Sequence, residues 1–260
     1  MKRLAFLLMT GIIWPACICG CSVKEDRKDC PCRLFVDMTA VDMAVMSPLS
    51  LYVSSGGEQV YGSVLKSENS ENPCVVEVPR GELVVSVWSG GDSLVSHEGM
   101  TIPIGSDCPR VYLHSSSMVA DGDYVCDTVL LRKNHCVLTM FFSETEEPYA
   151  LMIRGNVAGY DATGKPVKGV FQVPVSVDPT MAIPTQVCLP RQTGDELHLD
   201  VTDRSGNLRT FPLHEYIRQM GYDWTEPDLK DIKLTLDYTM TAVTLVIQGW
   251  DEEFVFDIVI

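Results

Sequence analysis

Positive charge is scarce in this chain. Lysine and arginine number 20 against 35 aspartates and glutamates, a formal net charge of −15 at pH 7. A surface that acidic excludes DNA, RNA and anionic lipid head groups as partners recognised through charge, so no nucleic acid partner is expected. Histidine is sparse as well. His97, His114, His135, His198 and His214 lie apart, without the spacing of metal ligands. Catalytic signatures are missing: there is no Gly-x-Ser-x-Gly elbow, Walker loop, Gly-x-Gly-x-x-Gly or His-Glu-x-x-His. The acidic residues are spread over turns, and no pair stands out for glycoside hydrolysis. The expectation is a protein that is not an enzyme and has no cofactor or metal. After residue 20 no apolar run approaches the length of a bilayer span.

What is present begins with Lys2 and Arg3, followed by an apolar core from Leu4 to Trp14. Ile18-Cys19-Gly20-Cys21 then sets small residues directly before a cysteine, an order that resembles a bacterial lipobox. It implies cleavage after Gly20 and transfer of acyl chains such as palmitate to the thiol of Cys21. Two or more chains, at about 0.8 kcal/mol per buried methylene, make a stable anchor where one does not. The other reading is an ordinary secretory signal cut at Ala16 or Gly20, which leaves no lipid. With lipid, membrane contact rests on Cys21 alone. Loss of residues 1–20 removes two positive charges, so 240 residues remain at a formal charge of −17. That length suits one large β domain or two ordinary ones.

Residues 21–31 read as a tether. Ser22 to Asp29 are too polar to bury themselves and would space a folded body from the bilayer. Of the ten cysteines, Cys17 and Cys19 leave with the signal and Cys21 takes the lipid. Cys30, Cys32, Cys74, Cys108, Cys126, Cys136 and Cys188 remain, an odd set that leaves one unpaired in any intramolecular scheme. Cys126 and Cys136 fall on strand patterns and read as small buried apolar residues. Cys30-Pro31-Cys32 lacks the second close pair of a metal site. A bridge from one of these two to Cys74 or Cys108 suits it better.

From Cys32 onward the text is strand-like. Leu34, Val36 and Met38 alternate with polar residues, and Leu49, Leu51 and Val53 repeat the pattern before Ser54-Ser55-Gly56-Gly57. Leu83 to Trp88 is β-branched and aromatic. Short strands with turn chemistry between them predict an all-β sandwich. Ser115 to Ser117 and Asp121-Gly122 suggest a seam, which divides the body into 32–122 and 123–260. Val125 to Leu131 and Val137 to Phe142 then suggest a hairpin turning at Arg132 to His135. One helix is expected: Leu213, Tyr216, Ile217 and Met220 share a face, and Gly221 stops it. Ile232 to Tyr238 and Val243 to Ile247 alternate again.

The last seven residues are Phe254, Val255, Phe256, Asp257, Ile258, Val259 and Ile260, six of them apolar with high β-propensity. Such a strand must pair or it becomes an aggregation edge. It either lies in its own domain or is donated to a neighbouring subunit. Trp88, Trp224 and Trp250 either stack on sugars or fill a core.

In order, these pieces resemble the FimB-type fimbrium anchor and accessory subunits of Bacteroidetes pili. The resemblance runs through Cys21, Lys24 to Pro31, Leu51-Tyr52-Val53, Pro79-Arg80-Gly81 and Val84 to Gly91. It continues in Val129 to Lys133, the helix near 213–220 and Ile247 to Trp250. Lys24-Glu25-Asp26 also resembles the export signal of surface lipoproteins in that phylum. The stretch from Ser93 to Ser117 and the later cysteines depart from the pattern. The resemblance implies two tandem transthyretin-like β-sandwiches with one short helix in the second. It implies a surface-exposed subunit, lipid-anchored to the outer membrane, that fixes a fimbrium there, limits its length and joins shaft subunits by strand exchange. A retained N-terminal strand would keep the chain's own groove filled, leaving residues 254–260 to be donated. A surface glycan-binding lipoprotein for nutrient uptake is the alternative.

Overall fold

The computed structural model describes residues 30–68, 72–142, 150–176, 184–202, 205–236, 242–247 and 254–257. The signal with Gly20, the lipid site Cys21, tether residues 22–29, Trp250, and Ile258, Val259 and Ile260 lie outside them. Pro31–Ile260 form one compact unit. Its described residues build two β-sandwiches.

The first half runs β1 (Cys32–Asp37), α1 (Met43–Met46), β2 (Leu49–Ser55), β3 (Glu58–Leu65), β4 (Cys74–Val78) and β5 (Gly81–Ser89). It continues with β6 (Val95–Ser96), β7 (Gly99–Thr101), β8 (Tyr112–Ala120), β9 (Tyr124–Thr128) and β10 (Arg132–Lys133). One sheet has the order β4-β1-β9 and its partner β10-β8-β5-β2-β3. Leu34, Val36, Leu51, Val53, Val85 and Val87 are wholly buried in the core between them. Burial of each such side chain is worth about 1.5–3 kcal/mol, which is why the period-two pattern fixes the register. The four-residue helix α1 was not foreseen. Asp42 caps it by accepting the Ala44 N–H at 3.1 Å.

The second half runs β11 (His135–Phe142), β12 (Ala150–Asp161), β13 (Pro166–Val175), β14 (Thr185–Pro190), β15 (His198–Thr202) and β16 (Leu208–Phe211). Then come α2 (Leu213–Gln219), β17 (Ile232–Leu236), β18 (Ala242–Ile247) and β19 (Phe254–Asp257). Its sheets are β14-β11-β17-β18-β19 and β16-β15-β12-β7-β6, with β13 also on β12. The helix α2 is where the pattern placed it. Leu213, Ile217 and Met220 are buried, and Gly221 (φ 72) closes it by donating to the Arg218 carbonyl at 2.9 Å.

Two expectations need correction. Val125 to Leu131 and Val137 to Phe142 do not form a hairpin. β9 lies parallel to β1 in the first sandwich, whereas β11 pairs with β14 and β17 in the second. The division at 122/123 does not follow the sheets either. Val129 is fully buried in the first core and Leu131 packs against it, while Cys136 to Met140 enter the second core.

The hairpin β6–β7 comes from between two strands of the first sandwich, yet it extends a sheet of the second. Thr101, Met100 and Gly99 pair with Gly159, Tyr160 and Asp161 of β12. Gly159 has φ 152, and a Cβ there would fall on the Met100 carbonyl oxygen. Only glycine permits that approach. Trp88, Val95, Met100, Cys108 and Val111 share the second core with residues of β11, β12 and β14. β5 is accordingly buried on both faces from Val85 to Ser89.

Candidate functional site

Two places carry the functional expectations: the first strand after the tether and the strand at 254–257. β1 occupies the centre of its sheet. It pairs antiparallel with β4 (Cys32 opposite Val78) and parallel with β9 (Leu34 opposite Val125). Both edges of its backbone are used, and Cys32, Leu34 and Val36 are 0% exposed. Polar contacts hold its ends. The Met38 N–H donates to Asn72 Oδ1 at 2.9 Å, and the Arg33 N–H to the Asp123 carbonyl at 3.0 Å. Arg80 donates to the Asp123 carboxylate at 3.0 Å and to the Asp121 carbonyl.

The outward face of the same sheet sets two aromatic rings among charged residues. Pro31, Arg33, Phe35, Glu77, Asp123, Tyr124 and Cys126 line an open groove of about 550 Å³. Phe35 and Tyr124 meet edge to face with centroids 6.3 Å apart, and Tyr124 is 69% exposed. The sequence reading missed this face. Its signal was Phe35, an aromatic residue at an outward position of β1.

At the other place, β19 pairs antiparallel with β18, with Phe254 opposite Leu245 and Asp257 opposite Ala242. It is the last strand of its sheet order and has one neighbour among the described residues. Of the donor residues, Phe254, Val255 and Phe256 therefore lie in a strand of the chain's own second sandwich.

One polar cluster contains the residue types of a hydrolytic triad. Asp127, on β9, accepts from Ser116 at 2.6 Å and lies 3.1 Å from His114 Nε2, both on β8. The Leu130 N–H donates to His114 Nδ1 at 3.2 Å. The carboxylate stands between the hydroxyl and the imidazole, whereas nucleophile activation needs the imidazole in the middle. Burial works to raise the ionisation of Asp127, but the hydrogen bonds from His114 and Ser116 outweigh it and hold the carboxyl below its ordinary range. The cluster joins the two sheets of the first sandwich where β8 and β9 meet. Neither this cluster nor the sequence supplies a catalytic arrangement among the described residues.

Cys32 and Cys126 sort differently from expectation. Cys74 stands opposite Val36 and Cys32 opposite Val78, four positions apart along the ladder. That is roughly 13 Å, too far for a bridge. Cys108 belongs to the other core, so it is no partner for Cys32. Cys126 is exposed on the outward face rather than buried. Cys136 is buried as predicted, and desolvation pushes its thiol up to about 12. Trp88 is 1% exposed between the sandwiches, which removes it as a sugar platform.

No protein-family model matches the chain, and no curated protein matches it. Solved structures do. A Bacteroides thetaiotaomicron protein provisionally named as polysaccharide-binding aligns with a TM-score of 0.60 at 16% identity, over 87% of this chain and 98% of that one. The fimbrial anchor protein Mfa2 of Porphyromonas gingivalis aligns with a TM-score of 0.59 at 16% identity, over 85% and 98%. A Bacteroides ovatus protein provisionally named an adhesin gives 0.54 at 11% identity, over 87% and 95%. The chain thus shares across most of its length the all-β, two-sandwich fold of these proteins.

Proposed function

We propose that the chain is a lipid-anchored fimbrial subunit that fixes a fimbrium to the outer membrane and limits its length. The observation that carries this reading is the seat of β1. The strand directly after the tether is locked between β4 and β9 with its inward side chains wholly buried. A subunit whose first strand stays in place offers no groove to an incoming donor strand. It can still give one, and a subunit that gives without accepting ends a polymer.

β19 suits the role of donor because it has one strand neighbour among the described residues, so releasing it breaks a single described ladder and leaves the interior of the sheet intact. Cys21, with cleavage after Gly20, would hold the other end. From Cys21 to Cys32 an extended chain reaches at most about 40 Å, which keeps the first sandwich close to the bilayer. The likeness in fold to a fimbrial anchor protein supports the same assignment.

The test is removal of Val255 to Ile260 in cells. Shaft subunits should no longer co-purify with the membrane-bound protein, while surface display persists. Unchanged retention of the fimbrium would refute the donor role.

A second reading, glycan capture at the cell surface, draws on the Phe35–Tyr124 face beside Arg33 and Glu77. Aromatic rings flanked by hydrogen-bonding side chains are the usual furniture of a sugar site. Oligosaccharide binding that disappears in Tyr124→Ala would favour it.

A further inference from the structure

We infer that Cys108 and Cys188 are joined by a disulfide in the exported protein, a covalent tie between the chain excursion leaving the first sandwich and strand β14 of the second. The inference rests on the export reading given under Proposed function. The Cys108 N–H donates to the Cys188 carbonyl at 2.9 Å. The bond brings the two backbones into direct contact, as the ~4.4–6.8 Å Cα separation of a disulfide requires. The Cys188 N–H in turn reaches the Asp107 carboxylate at 3.4 Å, so residues 107 and 108 run against β14. Both cysteines are free thiols in this structure and are buried, 1% and 7% exposed, in the same core. Burial first, and then the nearby Cys188, push the ionisation of Cys108 well up. The Cys108 sulfur rests 3.3 Å from the Pro109 carbonyl, a weak contact that bridging would give up.

The remaining cysteines are placed otherwise. Cys136 stands on β11 opposite Leu189, one position along from the Val137–Cys188 pair, with its thiol beside Tyr222.

Formation of the bond removes two protons and two electrons from the two thiols. A protein disulfide of the export compartment, or oxidised glutathione in vitro, accepts them and becomes two thiols. One cysteine first forms a mixed disulfide, and the thiolate of the other displaces the carrier. Exchange belongs to folding, before the core closes, because thiols this deeply buried are inert afterwards.

The experiment uses the full chain in two preparations: recovered from the cell envelope, and refolded from denaturant in a glutathione redox buffer. Thiols are alkylated before unreduced peptides are mapped by mass spectrometry. A linked Cys108–Cys188 peptide is expected in both, and a reductant should lower the melting temperature of the unmutated protein by about 5–10 °C. Cys188→Ser should lose both the link and the reductant effect. Alkylation of both residues in the refolded chain, or a bridge from Cys108 to Cys136, overturns the inference. A link in the refolded chain with alkylated thiols in the cellular protein overturns it through the export reading, leaving the geometry standing. The reductant comparison needs no mutant, so a variant that fails to fold leaves the question decidable.

Discussion

The Arg191 guanidinium and the Asn134 side-chain oxygen are joined by two hydrogen bonds, 3.1 and 3.3 Å long. Asn134 sits where the chain crosses from β10 to β11. The same guanidinium donates to the Glu226 carbonyl at 2.8 Å, to the Pro227 carbonyl at 3.4 Å and to the Trp224 carbonyl. Tyr160 donates to the Asn134 carbonyl and accepts the Arg191 N–H at 2.7 Å. Asp228 accepts the Lys133 N–H and Asp231 the Val137 N–H, both at 2.8 Å. The crossing is therefore held by charge-assisted bonds on both sides.

Replacing Arg191 by leucine should destabilise the protein by about 3 kcal/mol, since it strips several acceptors of one charged donor. Chemical denaturation would measure this. Lys165→Ala, on an exposed turn, should change the midpoint by less than about 0.5 kcal/mol.

Asp127 predicts a pH dependence. Its folded ionisation lies below the ordinary value of 3.8 because the hydrogen bonds of His114 and Ser116 outweigh burial. A carboxylate depressed in the folded state contributes stability that is complete above its unfolded pKa. The contribution fades as pH falls through the lower, folded value. Denaturation midpoints should fall below about pH 4.5, and Asp127→Asn should flatten that acid limb while lowering stability at neutral pH. An acid limb identical in wild type and variant would remove Asp127 from its origin.

Gly159→Ala places a methyl group on the Met100 carbonyl at a backbone angle that alanine avoids. The β7–β12 pairing must open to admit it. A loss of more than about 2 kcal/mol is expected, with amide exchange quickening at Met100 and Thr101 before it does in β1.

Cys21→Ala should move the protein from the detergent phase to the aqueous phase in a partitioning assay, because no acyl chain can be attached. Circular dichroism of the water-soluble variant should match that of the unaltered folded body, β1 being held by β4 and β9 rather than by lipid.

The period-two strands could be read directly. Leu34, Val36, Leu51, Val53 and the α2 face each solve a local burial problem, and local patterns record such problems. Partner choice is another matter. β9 has the same alternation whether it folds back onto β11 or lies parallel to β1, and nothing within Tyr124–Thr128 distinguishes the two. β6 and β7 were invisible because two and three residues are too few to show a period. Arg191 and Asn134 lie 57 positions apart, and only the folded chain brings them together. The Phe35–Tyr124 face escaped for the same reason, since its rings come from strands that meet through the parallel pairing.

The hairpin lent by the first sandwich to the second has a consequence for biogenesis. A polypeptide leaves the ribosome N-terminus first. Val95, Met100 and Cys108 then wait in water until the β12 segment follows, with Gly159 arriving 64, 59 and 51 residues after them. The leading half cannot finish its surface alone, so a truncated product would display a sticky flank to proteases and holdases.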